Sequence, residues 1–330
     1  MHKLSKVWML LLCLSVFLTA CSSEQDKWEK QLAQQATATT NKLDRLKQHI
    51  AAGNIANASL LTQYASILKQ DRPELSELSS ALSQDAGTSG PIIRSLESRL
   101  DDARNDISTV SRLGKDQVSK VYQELSAIES ASNPETYGMM LSDPINVLAD
   151  MSNGKLARVA ALSAEASTRI NDAEDFGPGS QLVGNPQYGG WQTNSSGNSF
   201  WHWYGQYAFF SSLFHRPIGF SNWGRNRDYS YYNDYGRSTY TSPRDRKSQQ
   251  TTERRTREKF KRSGKSFSSP YAKTKHTTAS VARKASKFQP KSFGQRSASQ
   301  SSKAKPSAKS TTSSYRNSSY QSSRSRFGGK

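Results

Sequence analysis

Few side chains in this chain could support covalent or metal chemistry. It has 2 Cys and 5 His among 330 residues, too few for a disulfide framework or a Cys/His zinc site. The histidines beyond residue 2 lack the spacing of metal ligands; they are His49, His202, His215 and His276. No nucleophile elbow, phosphate loop, dinucleotide fingerprint or His-Glu-x-x-His motif occurs. We therefore expect no enzymatic activity, no metal, no cofactor and no small-molecule substrate.

Acidic residues at helical spacing raise the alternative of acid–base chemistry. Asp101, Asp102 and Asp106 lie in one predicted helix and alternate with Arg99 and Arg104. Opposite charges three or four residues apart are typical of ion pairs on a solvated helix face. We interpret this group as a surface charge pattern.

The first 20 residues have the character of an export signal. Lys3 and Lys6 form a short basic stretch, and residues 7–17 are an apolar run. Eleven residues cannot cross a bilayer, which takes about 20 apolar residues in a helix. The length and the flanks fit the apolar region of a secretory signal peptide, so we assign residues 1–20 to one.

The next residues carry the only cysteine with a suggestive context. Leu18-Thr19-Ala20-Cys21 resembles the lipobox of bacterial lipoproteins. The resemblance implies cleavage before Cys21, a diacylglycerol on its thiol and an acylated amine, with residues 21–23 as the anchor site. Ser22, standing where Asp would favour the inner membrane, implies the outer membrane of a diderm bacterium. An ordinary signal peptide with an incidental cysteine, or an uncleaved anchor, is the alternative.

Charge divides the chain into two unlike halves. Lys and Arg number 46 against 27 Asp and Glu, a net charge of +19. Residues 21–175 hold 16 basic and 22 acidic side chains, and residues 176–330 hold 28 basic and 5 acidic ones. Apolar residues make up only 34%, too few for one globule of this length. The halves are therefore expected to differ in both order and partners.

Residues 24–172 are predicted to form a helical domain. Apolar residues recur every three or four positions in several segments, and Gly, Asn-Pro and Asp-Pro pairs separate the segments, which indicates six or seven helices. The clearest pattern runs from Ile93 to Ile128 and changes register near Gly114, which favours an antiparallel helical hairpin. Leu156, Val159 and Leu162 begin a predicted last helix. The hairpin seam fits an internal core, a partner helix or a second copy of the chain.

An aromatic segment follows a Gly/Pro-rich linker assigned to residues 173–198. Residues 188–240 hold 17 aromatic side chains in 53 positions. Their spacing predicts a short helix over 199–215 within a segment assigned to 199–240. The candidate contact residues are Trp201, Trp203, Tyr204, Tyr207, Phe210 and Phe214. They could lie in a membrane interface, stack on sugars of a surface glycan, or pack on the helical domain.

Residues 241–330 are predicted to be a disordered tail rich in Ser, Lys and Arg. No apolar periodicity is present, and no acidic residue follows Glu258. Cations spaced along a flexible chain bind polyanions by releasing counterions. The candidate contacts are Arg254, Arg255, Arg257, Lys259, Lys261, Arg262, Lys265, Lys273, Lys275, Arg283, Lys284, Lys287 and Lys291. A solvated spacer that binds nothing is the alternative.

These observations predict a mainly α, non-enzymatic lipoprotein of the cell envelope. A lipid anchor would hold it at the membrane, a helical bundle would serve as scaffold, and the basic tail would bind an anionic envelope polymer or lipid. Lipopolysaccharide, acidic glycan and extracellular DNA are the candidate polyanions. The alternative is an assembly subunit that binds another envelope protein through its helical hairpin and aromatic segment.

Overall fold

In the computed structural model of the chain, residues 24–109, 115–159, 176–214 and 217–271 are described. Their secondary structure is mainly helical, with one two-stranded sheet in these ranges. The predicted fold class, mainly α, is confirmed. Within the same ranges no helix combines the length and the apolar character that crossing a membrane requires.

The acidic half forms seven α-helices in its described part. They are α1 (Glu24–Ala51), α2 (Ala56–Asp71), α3 (Ser76–Ser83), α4 (Pro91–Ile107), α5 (Lys115–Ala131), α6 (Pro134–Met140) and α7 (Ser142–Asp150), with short 3₁₀ turns at Pro73–Leu75 and Gln84–Ala86. This agrees with the predicted number of helices. The helix expected from Leu156 is absent over 156–159, where the chain has no regular secondary structure, and its remainder lies outside the described residues.

The helical hairpin predicted over 93–128 is confirmed. Helices α4 and α5 pack on each other, and both pack on α1. Arg99 Nε donates to Glu124 Oε1 at 2.6 Å across the hairpin; the Arg99 side chain is buried and that of Glu124 is partly buried. Lys47 Nζ donates to Glu97 Oε1 at 2.6 Å between α1 and α4. The chain itself therefore fills the apolar seam, which is the first of the three alternatives the sequence left open.

The helix predicted over 199–215 is wrong. Strand β1 (Gly189–Thr193) pairs antiparallel with strand β2 (Ser199–Trp203), and Trp191 lies opposite Trp201. The side chains of β2 alternate between buried and more exposed positions, the period of a strand. Aromatic residues spaced by two support a strand as readily as a helix, and pairing with a distant segment decided between them. A 3₁₀ turn (Gly205–Tyr207) and the short helix α8 (Phe210–Leu213) follow.

A tight turn joins the two strands. Asn194 Oδ1 accepts a hydrogen bond from the amide of Asn198 at 2.9 Å, and the Asn194 amide donates back to the Asn198 carbonyl at 3.0 Å. Gly197 has a φ of +74°, a conformation that glycine adopts without steric cost. The sequence Asn-Ser-Ser-Gly-Asn between two aromatic runs is a hairpin signal that the helical interpretation overlooked.

The segment assigned as a linker, 173–198, belongs to the core over its described residues 176–198. Leu182, Val183 and Tyr188 are fully buried, and Ser180–Leu182 forms a 3₁₀ turn. Tyr188 Oη donates to Asp85 Oδ2 at 2.8 Å in the helical half. Glycine and proline here form turns between buried side chains. Tight turns inside a core use the same residue types as a linker, so composition alone did not distinguish the two.

Hydrogen bonds across the molecule join the two halves into one packed unit. The Asp143 carboxylate in α7 accepts from the amides of Tyr231 and Tyr232 at 2.8 and 3.0 Å. Arg99 Nη1 donates to the Thr239 carbonyl at 2.9 Å. Tyr240 Oη donates to the Ala131 carbonyl at 3.0 Å. The boundary drawn between a helical domain and an aromatic segment is therefore not a domain boundary.

Order also extends further along the chain than predicted. Residues 217–271 contain α9 (Phe220–Asn226), a π turn (Tyr232–Gly236), α10 (Arg237–Tyr240) and the 20-residue helix α11 (Pro243–Arg262). The prediction of a disordered tail over 241–330 is wrong for residues 241–271. Residues 272–330 lie outside the described part of the chain.

Helix α11 forms because both of its ends are capped. Ser242 Oγ accepts from the Asp245 amide at 3.0 Å, and Pro243 occupies the first turn, where its missing N–H costs nothing. At the other end Gly264 has a φ of +69°, and the Lys265 amide donates to the Phe260 carbonyl at 2.9 Å. This is a glycine C-cap motif.

Candidate functional site

Helix α11 docks on the core through a polar face. Gln249, Thr252 and Thr256 are spaced by three and four residues and are buried, and Phe260 continues the same face. Gln249 Nε2 donates to the Gly184 carbonyl at 3.2 Å and its Oε1 accepts from Arg237 Nε at 2.7 Å. Because this face has almost no apolar side chain, a search for apolar periodicity could not detect it. The caps at Ser242 and Gly264 were the available signals.

The opposite face of α11 is basic. The helix carries 9 Lys and Arg against 3 Asp and Glu. Seven of the predicted polyanion contacts lie here or directly after it, and all of them are exposed: Arg254, Arg255, Arg257, Lys259, Lys261, Arg262 and Lys265. We call these seven side chains the basic surface. The structure thus brings together on a rigid element side chains that the sequence had placed on a flexible one.

Part of the basic surface is paired within the helix. Arg254 Nη1 lies 3.4 Å from Glu258 Oε1, and Arg257 Nη2 lies 2.5 Å from Glu253 Oε1. Lys259 Nζ contacts Asn198 Oδ1 in the β-hairpin turn at 2.5 Å. For Arg255, Lys261, Arg262 and Lys265, no carboxylate of the described residues lies within ion-pair distance. A ligand can therefore contact these four cations without first breaking an ion pair within the protein.

The remaining predicted contacts lie outside the described residues. They are Lys273, Lys275, Arg283, Lys284, Lys287 and Lys291. The predicted lipidation site, Cys21, also lies outside them. The first described residue, Glu24, begins α1 only three positions after Cys21 in the sequence.

The predicted aromatic contacts are mostly buried in the core. Trp201, Trp203, Tyr207 and Phe210 are buried and Phe214 is half-buried, whereas Tyr204 is 49% exposed. The Trp203 ring centroid lies 4.7 Å from that of Phe210 and 6.0 Å from that of Phe214. These rings pack on one another, the third alternative weighed for them, and only Tyr204 presents a face to solvent.

Tyr204 stands between two clefts that share part of their lining. One has a volume of about 780 Å³ and lies between the α4–α5 hairpin and the start of α11. The other, of about 250 Å³, lies over the β-hairpin beside Trp191 and His202. Tyr204, Asp245 and Ser248 line both. Sequence reasoning missed this pair of clefts, because α11 was not expected to fold over the hairpin.

A third cavity is an open groove between α1 and α5. It has a volume of about 850 Å³, and its apolar lining comes from Trp28, Leu32, Val118 and Tyr122. Tyr122 is 53% exposed, the largest exposed fraction among the exposed large apolar side chains of the described residues. The groove lies on the outer side of the hairpin, where α1 runs beside α5.

Two carboxyl groups are enclosed in the core with altered acidity. Burial raises the pKa of Asp85 to about 7, although the hydrogen bond from Tyr188 opposes this. Burial also raises the pKa of Asp143 to about 7 against the amides of Tyr231 and Tyr232, which favour its ionised form. Both groups are fully enclosed and bonded within the protein, so they serve packing and no substrate reaches them.

The described residues offer an exposed cationic surface and clefts lined by aromatic and polar side chains. Among residues 24–109, 115–159, 176–214 and 217–271, no three His, Cys, Asp or Glu side chains come together in a way that could hold a metal ion. The basic surface can bind anions, and the clefts beside Tyr204 can hold a ligand by stacking and hydrogen bonds. Comparison of the chain with protein-family models, with curated proteins and with solved structures gave no match.

Proposed function

We propose that this protein is a non-enzymatic, lipid-anchored protein of the cell envelope that binds an anionic envelope polymer or lipid through its basic surface. The anchor rests on the resemblance of Leu18-Thr19-Ala20-Cys21 to a lipobox, and Ser22 favours the outer membrane. Two acyl chains at one residue give stable attachment, because each buried methylene contributes about 0.8 kcal/mol.

The observation that carries the proposal is the exposure of seven cations along one docked helix. Successive residues of a helix rise by about 1.5 Å, so Arg254 to Arg262 spread over about 12 Å of fixed backbone. Lys and Arg at a charged surface each contribute about 1 kcal/mol of attraction. Since α11 is already ordered, binding does not have to order its backbone, as it would for a flexible tail.

A lipid anchor would add to this attraction by confining the protein to a surface. A tethered binding site meets its ligand at a raised effective concentration, so modest affinity of the basic surface suffices. The attraction is electrostatic and between exposed groups, so salt must weaken it. Binding of the basic residues beyond 271 to the same polymer would add to it.

The test removes three unpaired cations from the basic surface of the full chain. The variant carries Arg255→Gln, Lys261→Gln and Arg262→Gln. The matched control carries Lys27→Gln, Lys30→Gln and Arg45→Gln, three exposed cations of α1. Binding to lipopolysaccharide and to vesicles of zwitterionic lipid with and without anionic lipid is measured from about 50 mM to about 300 mM salt, over which the screening length falls about 2.4-fold.

We expect the α11 variant to bind about tenfold or more weakly at the lowest salt and to show a shallower dependence of affinity on salt. The control should match the parent chain. Equal losses in both variants would show that only net charge matters, and unchanged binding in the α11 variant would overturn the proposal. Binding to lipopolysaccharide but not to anionic vesicles would identify the polymer as the partner.

The anchor is tested separately from the binding. Expressed in a diderm bacterium, the parent chain should incorporate labelled palmitate and fractionate with membranes, and Cys21→Ser should lose both properties. A Cys13→Ser variant is the matched control. Palmitate label that persists in Cys21→Ser would contradict the lipobox assignment.

A second candidate function, an assembly subunit, is favoured by the groove between α1 and α5. An exposed Tyr122 beside Val118 and Trp28 offers an apolar contact that another helix could cover. A complex with one identified envelope protein should then survive high salt and be lost in Tyr122→Asp. It should persist in Tyr204→Asp, the matched exposed tyrosine.

A further inference from the structure

We infer that the two clefts beside Tyr204 form one groove that binds an oligosaccharide strand rich in N-acetylhexosamine, with the Tyr204 ring as the stacking surface. We call this the Tyr204 groove. It is a second binding site, and it is distinct in chemistry from the basic surface because its recognition depends on stacking and hydrogen bonds. It goes beyond the proposed anion-binding function and does not depend on it.

The shape of the groove is the first support. The larger cleft, at about 780 Å³, is within the range of about 300–1,000 Å³ typical of ligand sites. The smaller cleft, at about 250 Å³, continues it past Tyr204. Because both are lined by Tyr204, Asp245 and Ser248, an extended ligand can cross from one to the other without leaving the surface.

Tyr204 is held in place for such a role. It lies between β2 and the following 3₁₀ turn, its amide donates to the Tyr188 carbonyl at 3.0 Å, and its carbonyl accepts from the Tyr207 amide at 2.7 Å. A Cβ on Gly190 would lie 3.6 Å from the Tyr204 hydroxyl, so the phenol rests against the glycine backbone of β1. A ring that is fixed but 49% exposed offers stacking area at little entropic cost.

The floor of the smaller cleft is shaped by glycines. Gly184, Gly189 and Gly190 line it. A Cβ at Gly189 would come within 2.8 Å of the Trp201 ring, and one at Gly184 would come within 2.8 Å of the Trp223 ring. These positions therefore tolerate no side chain. Glycine at these positions lets the Trp201 and Trp223 rings pack directly against the backbone that lines the cleft, which fixes the shape of its floor.

The polar groups around the ring fit a sugar better than an anion. Asp245, Ser248 and Gln192 lie on the side of the smaller cleft, and Asp102, Gln117 and Ser98 lie on the side of the larger one. Carboxylates accept hydrogen bonds from hydroxyl and acetamido N–H groups, and amides and hydroxyls both donate and accept. The larger cleft also contains Arg99, Lys120 and Arg244, so its positive and negative charges nearly balance, whereas the basic surface has an excess of cations.

One buried donor in the groove has no partner among the described residues. Trp201 lines the smaller cleft and is buried, yet its indole N–H is not satisfied by any described atom. Buried donors without acceptors are rare in proteins and call for an explanation. An acetamido or hydroxyl oxygen, reached after a small shift of the β-hairpin, would supply the acceptor.

The proximity of Asp245 to Tyr204 is visible in the acidity of the phenol. Partial burial raises the pKa of Tyr204, and the negative charge of Asp245 raises it further, while Arg244 opposes the effect. The Tyr204 hydroxyl therefore stays protonated and able to donate. Asp245 itself is held by Ser242, whose Oγ lies 2.7 Å from Asp245 Oδ2, so the first turn of α11 fixes the groove wall.

The test measures binding of a β-1,4-linked N-acetylglucosamine tetrasaccharide to the full chain in detergent. Titration calorimetry and the fluorescence of the tryptophans are followed in about 0.5 M NaCl, where the screening length is about 4 Å and surface attraction to anions is suppressed. Tyr204→Ala removes the ring, and Tyr204→Trp keeps a stacking surface. Tyr122→Ala is the matched control, because Tyr122 is exposed to a similar extent and lines the groove between α1 and α5, outside the Tyr204 groove.

We expect the parent chain and Tyr122→Ala to bind equally, with affinity that does not depend on salt. Tyr204→Ala should bind about tenfold or more weakly, and Tyr204→Trp should bind within a few fold of the parent. Absence of binding by the parent chain, or equal loss in Tyr122→Ala, would overturn the inference. The variant with Arg255, Lys261 and Arg262 replaced should bind the sugar normally, so failure of the anion-binding proposal and failure of this one are separable.

Discussion

The helices of residues 24–159 bury aliphatic side chains in regular stripes, whereas residues 176–271 bury aromatic rings, paired charges and polar side chains in irregular order. Leu46, Leu61 and Leu125 are fully buried in the first region. In the second region, the buried groups include the rings of Trp223 and Tyr232 and the Arg227–Asp234 ion pair. Both regions contribute to one core, yet only the first does so with a local pattern.

This difference shows that low apolar content does not by itself prevent burial. Tyr and Trp place large areas out of water while keeping a polar atom for bonding, and each ring needs a specific partner. The Trp191 ring lies 4.8 to 5.1 Å from those of Trp201, Phe220 and Trp223. A core of this kind depends on particular contacts more than on average hydrophobicity, so single changes in it should be costly.

The largest expected effect comes from breaking the buried ion pair of the second region. Arg227 Nη2 lies 2.5 Å from Asp234 Oδ1, both side chains are buried, and Arg227 Nε donates to the Pro270 carbonyl at 3.1 Å. Asp234→Ala should lower the free energy of unfolding by about 3–5 kcal/mol, because it leaves a buried guanidinium uncompensated. Urea denaturation followed by circular dichroism measures it.

The matched control for that change is Arg227→Met combined with Asp234→Leu. Replacing both charges by apolar side chains of similar size removes the uncompensated charge, so the double variant should be more stable than Asp234→Ala. A double variant as unstable as the single one would show that the hydrogen bonds to Pro270 and Ser230, and not the charge pair, hold this region.

A truncation in the aliphatic region should have the next largest effect. Leu125 of α5 is fully buried, and its backbone carbonyl contacts Thr39 of α1. Leu125→Ala should cost about 2–5 kcal/mol through lost burial and a residual cavity. Tryptophan fluorescence reports mainly the second region, and circular dichroism reports the helices. During urea denaturation the two signals should change together in one transition. Two separate transitions would show that the regions unfold independently.

A smaller loss is expected from Gln249→Ala in α11. It removes the acceptor of Arg237 and the donor to the Gly184 carbonyl, leaving buried groups unpaired at a cost of about 1–3 kcal/mol. Lys247→Ala, an exposed position on the same helix, should change stability by less than about 0.5 kcal/mol. Hydrogen exchange of the α11 amides measures both. Equal protection in both variants would contradict docking through the polar face.

The enclosed carboxyls should also impose a pH dependence on the free energy of unfolding, and the change over any one pH unit is small. With its pKa raised by burial to about 7, folded Asp85 holds a proton that the unfolded chain releases near pH 4. The free energy of unfolding should therefore fall as pH rises from about 4 to about 7, by up to about 1.4 kcal/mol per pH unit for this group. Asp85→Asn should make the slope shallower. An unchanged slope would assign the dependence to Asp143 and other groups.

The aliphatic helices and the hairpin of α4 and α5 were predictable because their signals are local. Apolar side chains three and four residues apart form one helix face whatever that face packs against. Asn133-Pro134 was predicted to end the hairpin, and the structure shows that Asn133 also caps α6, with its Oδ1 accepting from the amides of Glu135 and Thr136. The exposure of the α11 cations was also predictable from their types alone, and their binding of an anion stays a prediction.

Three features had no such local signal: the two strands, the formation of helix α11 and the Tyr204 groove. Trp201 and Trp203 fit a helix or a strand until β1 pairs with them. The buried face of α11 exists because Gln249 finds the Gly184 carbonyl 65 residues away in sequence.

The sequence by itself determined the charge asymmetry, the helices with apolar stripes and the identity of the exposed cations, whereas the export and anchor signal stays a prediction. Each of these is a property of neighbouring residues. The tertiary structure decided which aromatic rings are buried, that residues 243–262 form a docked helix and where the Tyr204 groove opens. Those outcomes depend on contacts between distant segments, whose free energy no local pattern contains.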